Sequence, residues 1–237
     1  MKRLTLTAAA LLAVVGMSSA GDITGKITLK GTPPPEKALP LDATCGKART
    51  DQGLEPAKTR FYAVGKDGAL ADVFVYLKSG VTAKPTVPAT AAVIDQKGCE
   101  YTPYIVGAMV GQKIHVKTSD PALHNVHPTP VVAGNKEYNK AHLPGSPPLE
   151  FSWDNQEILL RFKCDVHPWM FAYVGVVDHP YFAVSGADGS FKIADVPPGK
   201  YTVEAFHRKS GKPVTQEVTA GADGAKADFT IEVPAAQ

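Results

Sequence analysis

RFKCDVHPWMFAYVGVV, residues 161–177, places a cysteine, a histidine and a methionine within seven positions. Cys164, His167 and Met170 follow the spacing C-x2-H-x2-M, between two runs in which apolar and polar residues alternate. Alternation is the pattern of a half-buried β-strand, so the three residues are expected on one turn between two strands. A thiolate, an imidazole and a thioether together suit copper.

An electron-transfer copper site uses a second imidazole, which has to come from elsewhere in the chain. The stretch SDPALHNVHPTP, residues 119–130, holds His124 and His127 where a strand begins. In an extended segment these two positions have opposite parity, so only one of them faces an interior site. His124 is the better candidate because its neighbour Asn125 is placed to hydrogen-bond the ligand turn. His127 is then not a ligand.

Simpler interpretations exist for each of these residues. The spacing C-x2-H alone is more often a disulfide cysteine near a surface histidine, and Met170 is also compatible with core packing. Four further histidines have no neighbours at ligand spacing and are expected at the surface or behind the ligands: His115, His142, His179 and His207.

The rest of the chain indicates an all-β fold. Short alternating runs recur at regular spacing and are separated by turns rich in Gly, Asp and Pro, such as GADG and PPG. This pattern is typical of β-sandwiches and barrels. No window carries a convincing helical stripe.

The first twenty residues are predicted to be a secretory signal peptide. A basic start precedes a short apolar run and small residues at 18–20. No other stretch is long and apolar enough for a membrane span. Without Lys2 and Arg3, 23 basic residues face 23 acidic ones, which gives no electrostatic case for nucleic acid. The expected location is the periplasm.

Three cysteines remain, namely Cys45, Cys99 and Cys164. In an oxidising compartment two of them are expected to pair. Three pairings are arithmetically possible.

The two ligand motifs carry a resemblance to a known family. SDPALHNVHP followed by FKCDVHPWM resembles the cupredoxins, or blue copper proteins, of the amicyanin and plastocyanin type, over about residues 88–178. The resemblance implies a Greek-key β-sandwich at 88–179 with one copper ion in a type 1 site. His124, Cys164 and His167 would be its strong ligands and Met170 its weak axial ligand.

The same resemblance implies how electrons leave the site. The edge of the His167 imidazole would reach the surface through an apolar patch, where Pro168 and Trp169 would form a docking or tunnelling surface. Plain packing is the alternative for Trp169. Asp165 stands where amicyanins carry threonine, and its carboxylate is expected to lower the reduction potential or alter the hydrogen bond to Asn125.

The C-terminal part resembles a second family. VSGADGSFKIADVPPGKYTVEAF is similar to the carboxypeptidase regulatory-like, transthyretin-type β-sandwich, whose first strands are missing from this tail but present near the N-terminus. The resemblance implies a small discontinuous sandwich made of residues 21–85 and 180–237, with the cupredoxin inserted. A separate N-terminal hairpin packed on the copper domain is the alternative. No catalytic motif lies here, so a structural or partner-binding role is expected.

If copper holds Cys164 as a thiolate, Cys45 and Cys99 are the remaining pair. Both stand in loop-like sequence, LDATCGKART and DQKGCEY, and could approach without breaking a strand ladder. The alternative is that both are reduced and buried.

These expectations together describe a periplasmic carrier of single electrons. Its partners would be redox proteins such as a cytochrome c or a dehydrogenase. The alternative is a copper chaperone or storage protein. An enzyme is not expected, because copper oxidases and nitrite reductases need a further copper, commonly announced by H-x-H pairs, and the chain has none.

Overall fold

The computed structural model describes residues 19–82 and 85–234, so the predicted signal peptide lies outside the described residues except for its last two positions. The fold is all-β, as predicted. Within the described residues there are seventeen strands and a single α-helix, α1 (Ala43–Asp51). None of the helical structure described is long and apolar enough to cross a membrane.

The strands are numbered in chain order. The first eight are β1 (Gly21–Lys30), β2 (Phe74–Ser79), β3 (Ala92–Gln96), β4 (Tyr101–Thr102), β5 (Ile105–Met109), β6 (Ile114–Thr118), β7 (His124–Thr129) and β8 (Lys140–His142). The other nine are β9 (Leu149–Phe151), β10 (Glu157–Lys163), β11 (Phe171–Val177), β12 (Phe182–Val184), β13 (Ser190–Val196), β14 (Gly199–Phe206), β15 (Val214–Ala220), β16 (Ala225–Lys226) and β17 (Phe229–Glu232).

Strands from the two ends of the chain share two sheets. In one sheet β1 pairs with β13, β16 and β17, and the other has the order β12-β2-β14-β15. The alternating residues of β1 and β2 place Ile23, Ile27, Val75 and Leu77 in one buried cluster with Val203 of β14. Burial of these side chains between the sheets holds residues from both ends together.

The middle of the chain forms two further sheets. Their orders are β5-β11-β10-β7-β8 and β4-β3-β6-β9. Ile94 and Val116 from one sheet meet Phe162 and Val174 from the other in a shared core. The arrangement is a β-sandwich, with the ligand turn between β10 and β11 at one end.

The sheets formed by the chain ends meet the sheets of the middle through aromatic rings packed on glycines. Phe74 of β2 lies against Gly175 of β11, and Phe182 of β12 lies against Gly107 of β5. A Cβ atom at either glycine would overlap the ring. The close approach of ring and backbone therefore requires glycine at both positions.

Helix α1 corrects the expectation that Cys45 lies in a loop. Asp42 caps the helix by accepting a hydrogen bond from the Cys45 backbone N–H at 2.7 Å. Only Cys45, Ala48 and Arg49 of the helix are buried. So few buried positions leave no apolar stripe, which is why hydrophobic periodicity did not reveal the helix.

Candidate metal centre

Three predicted ligands converge at one end of the central sandwich. His124 opens β7, Cys164 follows β10, and His167 lies in the turn that leads into β11. All three are buried, and their ligand atoms lie within 4.8 Å of one another. The tertiary fold thus brings together residues forty positions apart in sequence.

The separations of the three donor atoms test whether they fit a metal ion. The Nδ1 atoms of His124 and His167 are 3.0 Å apart. The Cys164 Sγ lies 4.0 Å from the His124 Nδ1 and 3.9 Å from the His167 Nδ1. One point in their plane is then about 2.0 Å from both nitrogens and about 2.3 Å from the sulfur, the usual lengths of bonds from a transition metal to nitrogen and to sulfur. The residues present fit a three-ligand metal site.

Asp120 fixes the orientation of His124. Its Oδ2 accepts a hydrogen bond from His124 Nε2 at 3.0 Å, and both side chains are fully buried. The same carboxylate accepts the backbone N–H groups of Gly98 and Cys99 at 2.6 and 2.8 Å. Because Asp120 holds the Nε2 proton, Nδ1 is the nitrogen directed toward the other two donors and the one that would bind a metal ion.

The charges in this cluster favour a thiolate. Burial alone would raise the pKa of Cys164, but hydrogen bonds from His124 and from the Asn125 backbone N–H lower it. Burial alone would lower the pKa of His124, yet Asp120 and Cys164 raise it to about 9. The pKa of His167 is lowered by burial and by the nearby charge of His124. At neutral pH His124 is then an imidazolium beside the thiolate, and binding of a metal ion would release its Nδ1 proton, whereas His167 is already neutral.

Asn125 ties the first histidine segment to the ligand turn. Its backbone N–H lies 3.5 Å from the Cys164 sulfur, and its Oδ1 accepts the backbone N–H of Asp165 at 2.6 Å. Its Nδ2 donates to the Asp165 carboxylate at 3.0 Å. The side chain thus stiffens the turn, as the sequence predicts.

Asp165, the residue after Cys164, is held as a carboxylate. Lys163 and His127 bind it at 2.7 and 2.6 Å, and Asn139 adds a hydrogen bond. These partners, Lys163 first, hold the pKa of Asp165 well below its usual range. The expectation that this carboxylate lowers the reduction potential stays a prediction, because the Lys163 ammonium offsets part of its charge.

Met170 is buried at the end of the turn. Its backbone N–H donates to the carbonyl of His167 at 2.9 Å, and its own carbonyl accepts the N–H of Cys164 at 3.3 Å. Its side chain packs in the same core cluster as Cys164. These contacts close the turn and leave the thioether inside.

The predicted disulfide joins Cys45 to Cys99, and Cys164 is the free cysteine. Both bridged residues are fully buried. The bridge connects α1 to the turn before β4, and its Cα atoms are 5.6 Å apart. It ties the N-terminal segment to the central sandwich.

The expectation that the His167 edge reaches the surface is wrong. His167 is only 4% exposed, because its Nε2 lies 3.4 Å from the Cys45 sulfur and 3.5 Å from an Asp42 oxygen. Helix α1 and the disulfide cover the imidazole. Covering by residues so far upstream could not be read from the local ligand motif.

The two residues predicted beside this edge have different environments. Pro168 is exposed, whereas Trp169 is half-buried. The Trp169 Nε1–H donates to the carbonyl of Cys99 at 3.0 Å, and its ring centre is 5.2 Å from that of His167. Trp169 therefore packs between the ligand and the disulfide turn.

The remaining histidines do not join the cluster. The His127 ring contacts Asp165 and Glu137 instead of the buried donors. His142 takes the second of the two expected positions: it is buried behind His124 in β8, with its Nδ1 2.7 Å from the Gln96 amide oxygen. His179 and His207 correct the expectation, because they are buried elsewhere, against Leu77 and Tyr62.

Sequence reasoning missed two residues of this site. Asp120 supports His124, and Asp42 both caps α1 and approaches His167. A signal existed for the first, because the turn at Ser119 places a carboxylate four positions before the histidine. Asp42 had only the weak signal of an N-cap residue before a segment without apolar periodicity.

Alanine substitution should separate the two histidines of β7. We expect His124→Ala to weaken metal binding at least about a hundredfold, because a buried ligand is lost. His127→Ala, three positions away, should change affinity less than about threefold because its ring faces away from the donors. Competition titration with a chelator of known affinity measures both. Equal losses would mean that the ligand assignment in β7 is incorrect.

No family model matches this chain, and no curated protein matches it. Solved structures are similar to part of it. The copper-containing nitrite reductase from Thermus scotoductus SA-01 is 17% identical with a TM-score of 0.33; the match covers 41% of this chain and 24% of the reductase. An oxidized proline-to-glycine mutant of amicyanin is 19% identical with a TM-score of 0.33, covering 43% and 97% of the two chains. A purple cupredoxin from Nitrosopumilus maritimus is 21% identical with a TM-score of 0.31, covering 36% and 98%.

Proposed function

We propose that this protein binds one copper ion in a type 1 site and carries single electrons between redox partners. The spacing of the His124, Cys164 and His167 donor atoms around a common centre carries this proposal. A thiolate with two imidazoles is the donor set of electron-transfer copper. Met170, buried at the end of the turn, is the proposed weak axial ligand.

Copper, when bound, would supply a one-electron couple. The chain's own part is to hold the donors so that they move little when the charge changes. Three strands and the Asp120 and Asn125 hydrogen bonds fix the donors, and burial keeps water out. A rigid, dry donor set lowers the rearrangement that accompanies electron transfer.

We place the partner surface beside the ligands, since the His167 edge is covered. Leu123 and Val166 each precede a ligand histidine and are both 48% exposed, and Leu143 is 59% exposed next to the residue that pairs with His124. A periplasmic redox protein such as a cytochrome c or a dehydrogenase is the proposed partner. The sheets formed by the chain ends offer a surface for a further protein partner.

Copper reconstitution tests the proposal directly. We expect Cu(II) added to the purified, disulfide-intact chain to bind in a one-to-one ratio and to give an intense visible thiolate-to-copper band. Electron paramagnetic resonance of the same sample should show one copper species. A pale protein that still binds copper would support the alternative of copper handling and would contradict electron transfer.

Replacing the axial residue should shift the reduction potential. We expect Met170→Leu to keep its copper and to raise the potential by roughly 60 mV or more, which is a tenfold change in the one-electron equilibrium. An apolar neighbour favours the smaller charge of Cu(I). Voltammetry measures the shift.

Met109→Leu is the matched control for this substitution. Met109 is buried in β5, away from the ligand turn, so its replacement should leave the potential unchanged. Loss of all copper from Met170→Leu would make Met170 a principal ligand. An unchanged potential would place it outside the coordination sphere.

A further inference from the structure

A cavity of about 270 Å³ lies on the Met170 side of the metal centre. Met170 and Trp169 form part of its wall. Four more aromatic side chains line it: Phe61, Tyr101, Tyr104 and Phe171. Flat, apolar walls of this kind suit a planar ring, and the volume suits a small molecule.

The cavity carries an excess of positive charge. Lys58, Arg60 and Arg208 line it together with one carboxylate, Glu100. Glu100 pairs with Arg49, and Arg60 pairs with Asp72. Lys58 and Arg208 have no carboxylate partner among the described residues, so two positive charges are left uncompensated.

Arg208 is held in place and retains an unused donor. One of its terminal nitrogens donates to the Tyr173 hydroxyl at 3.0 Å, and its guanidinium lies 5.4 Å from the Tyr104 ring centre. Its Nε is buried and has no hydrogen-bond partner within the described part of the chain. The other terminal nitrogen donates to the Arg60 carbonyl at 3.5 Å, so each terminal nitrogen keeps one further N–H for a ligand. A guanidinium binds carboxylates through such donors.

We propose that this cavity binds a small aromatic carboxylate. The aromatic walls would hold the ring, and Arg208 with Lys58 would hold the charged group. The bound ring would then lie against Trp169 and Met170, next to the metal centre. This inference goes beyond electron transfer and does not depend on copper, because none of its cationic groups is a proposed ligand.

Calorimetric titration of the purified full chain with sodium benzoate tests the proposal, first without copper and then with it. We expect saturable one-to-one binding in both forms, with a Kd below about 1 mM. Benzamide lacks the charge and cyclohexanecarboxylate lacks the flat ring, so each should bind at least about tenfold more weakly. No saturable binding of benzoate, or equal binding of all three compounds, would overturn the proposal.

Three variants locate the binding. Arg208→Gln should weaken benzoate binding at least about tenfold. Arg161→Gln is the matched control and should bind benzoate as before, since Arg161 is an exposed arginine over the ring of Phe171 that does not line the cavity. Leu39→Trp should block binding by filling the cavity without removing a charge. Unchanged binding in both Arg208→Gln and Leu39→Trp would place the benzoate elsewhere and refute the assignment.

Discussion

Replacing Cys164 with serine should abolish the visible absorption of the copper-loaded protein while leaving it folded. The band requires a thiolate bound to copper, and a serine hydroxyl does not supply one. Cys164 is the only cysteine outside the disulfide, so no other thiolate can replace it. Serine is nearly isosteric with cysteine, so the surrounding core should lose about 1–3 kcal/mol at most.

Visible spectroscopy after copper addition measures this result, and circular dichroism reports the fold. Asp165→Asn is the matched control, because it changes the adjacent residue and leaves the thiolate in place. The control should keep the band. A coloured Cys164→Ser variant would show that the metal site lies elsewhere in the chain.

The ligand turn could be predicted from the sequence because its information is local. Cys164, His167 and Met170 lie on one short connection between two alternating runs. Strand parity allows only one of the two β7 histidines to face the site, and the neighbouring Asn125 favours His124. The structure places the three strong donors within 4.8 Å of one another. Local spacing and strand periodicity were sufficient to predict that these three residues come together.

The cover over the ligand imidazole could not be predicted in the same way. Asp42 and Cys45 reach His167 from more than 120 positions upstream, on a helix with no apolar stripe. Periodicity identifies a face that packs on a core, and this helix buries too few residues to show one. Assigning Cys164 to a metal left Cys45 and Cys99 as the disulfide pair, but it did not indicate that the bridge would cover His167.

Sheet partners were equally beyond the local pattern. The alternation in GDITGKITLK predicts a strand, and β1 is that strand. It pairs antiparallel with β13 and parallel with β16 and β17, near the other end of the chain. Alternation reports which residues face a core but not which strand lies beside them.

Removing the disulfide should have two effects, because the bridge closes a long loop and also covers His167, a proposed ligand. It links residues 54 positions apart, and the chain-entropy model gives a loop of that length about 4 kcal/mol. We therefore expect Cys45→Ala combined with Cys99→Ala to lower the free energy of unfolding by about 4 kcal/mol. Urea denaturation measures the loss, and reduction of the unmodified protein is the control that removes the bridge without substitution.

The second effect concerns the metal centre. The Cys45 sulfur lies 3.4 Å from the outer nitrogen of His167, and Trp169 hydrogen-bonds the carbonyl of Cys99. Without the bridge α1 is free to leave the imidazole edge, so an excess of chelator should remove copper at least about tenfold faster. A variant that loses stability but releases copper at the original rate would show that α1 stays in place without the bridge. Unchanged stability and an unchanged release rate together would show that the bridge neither stabilises the fold nor covers the site.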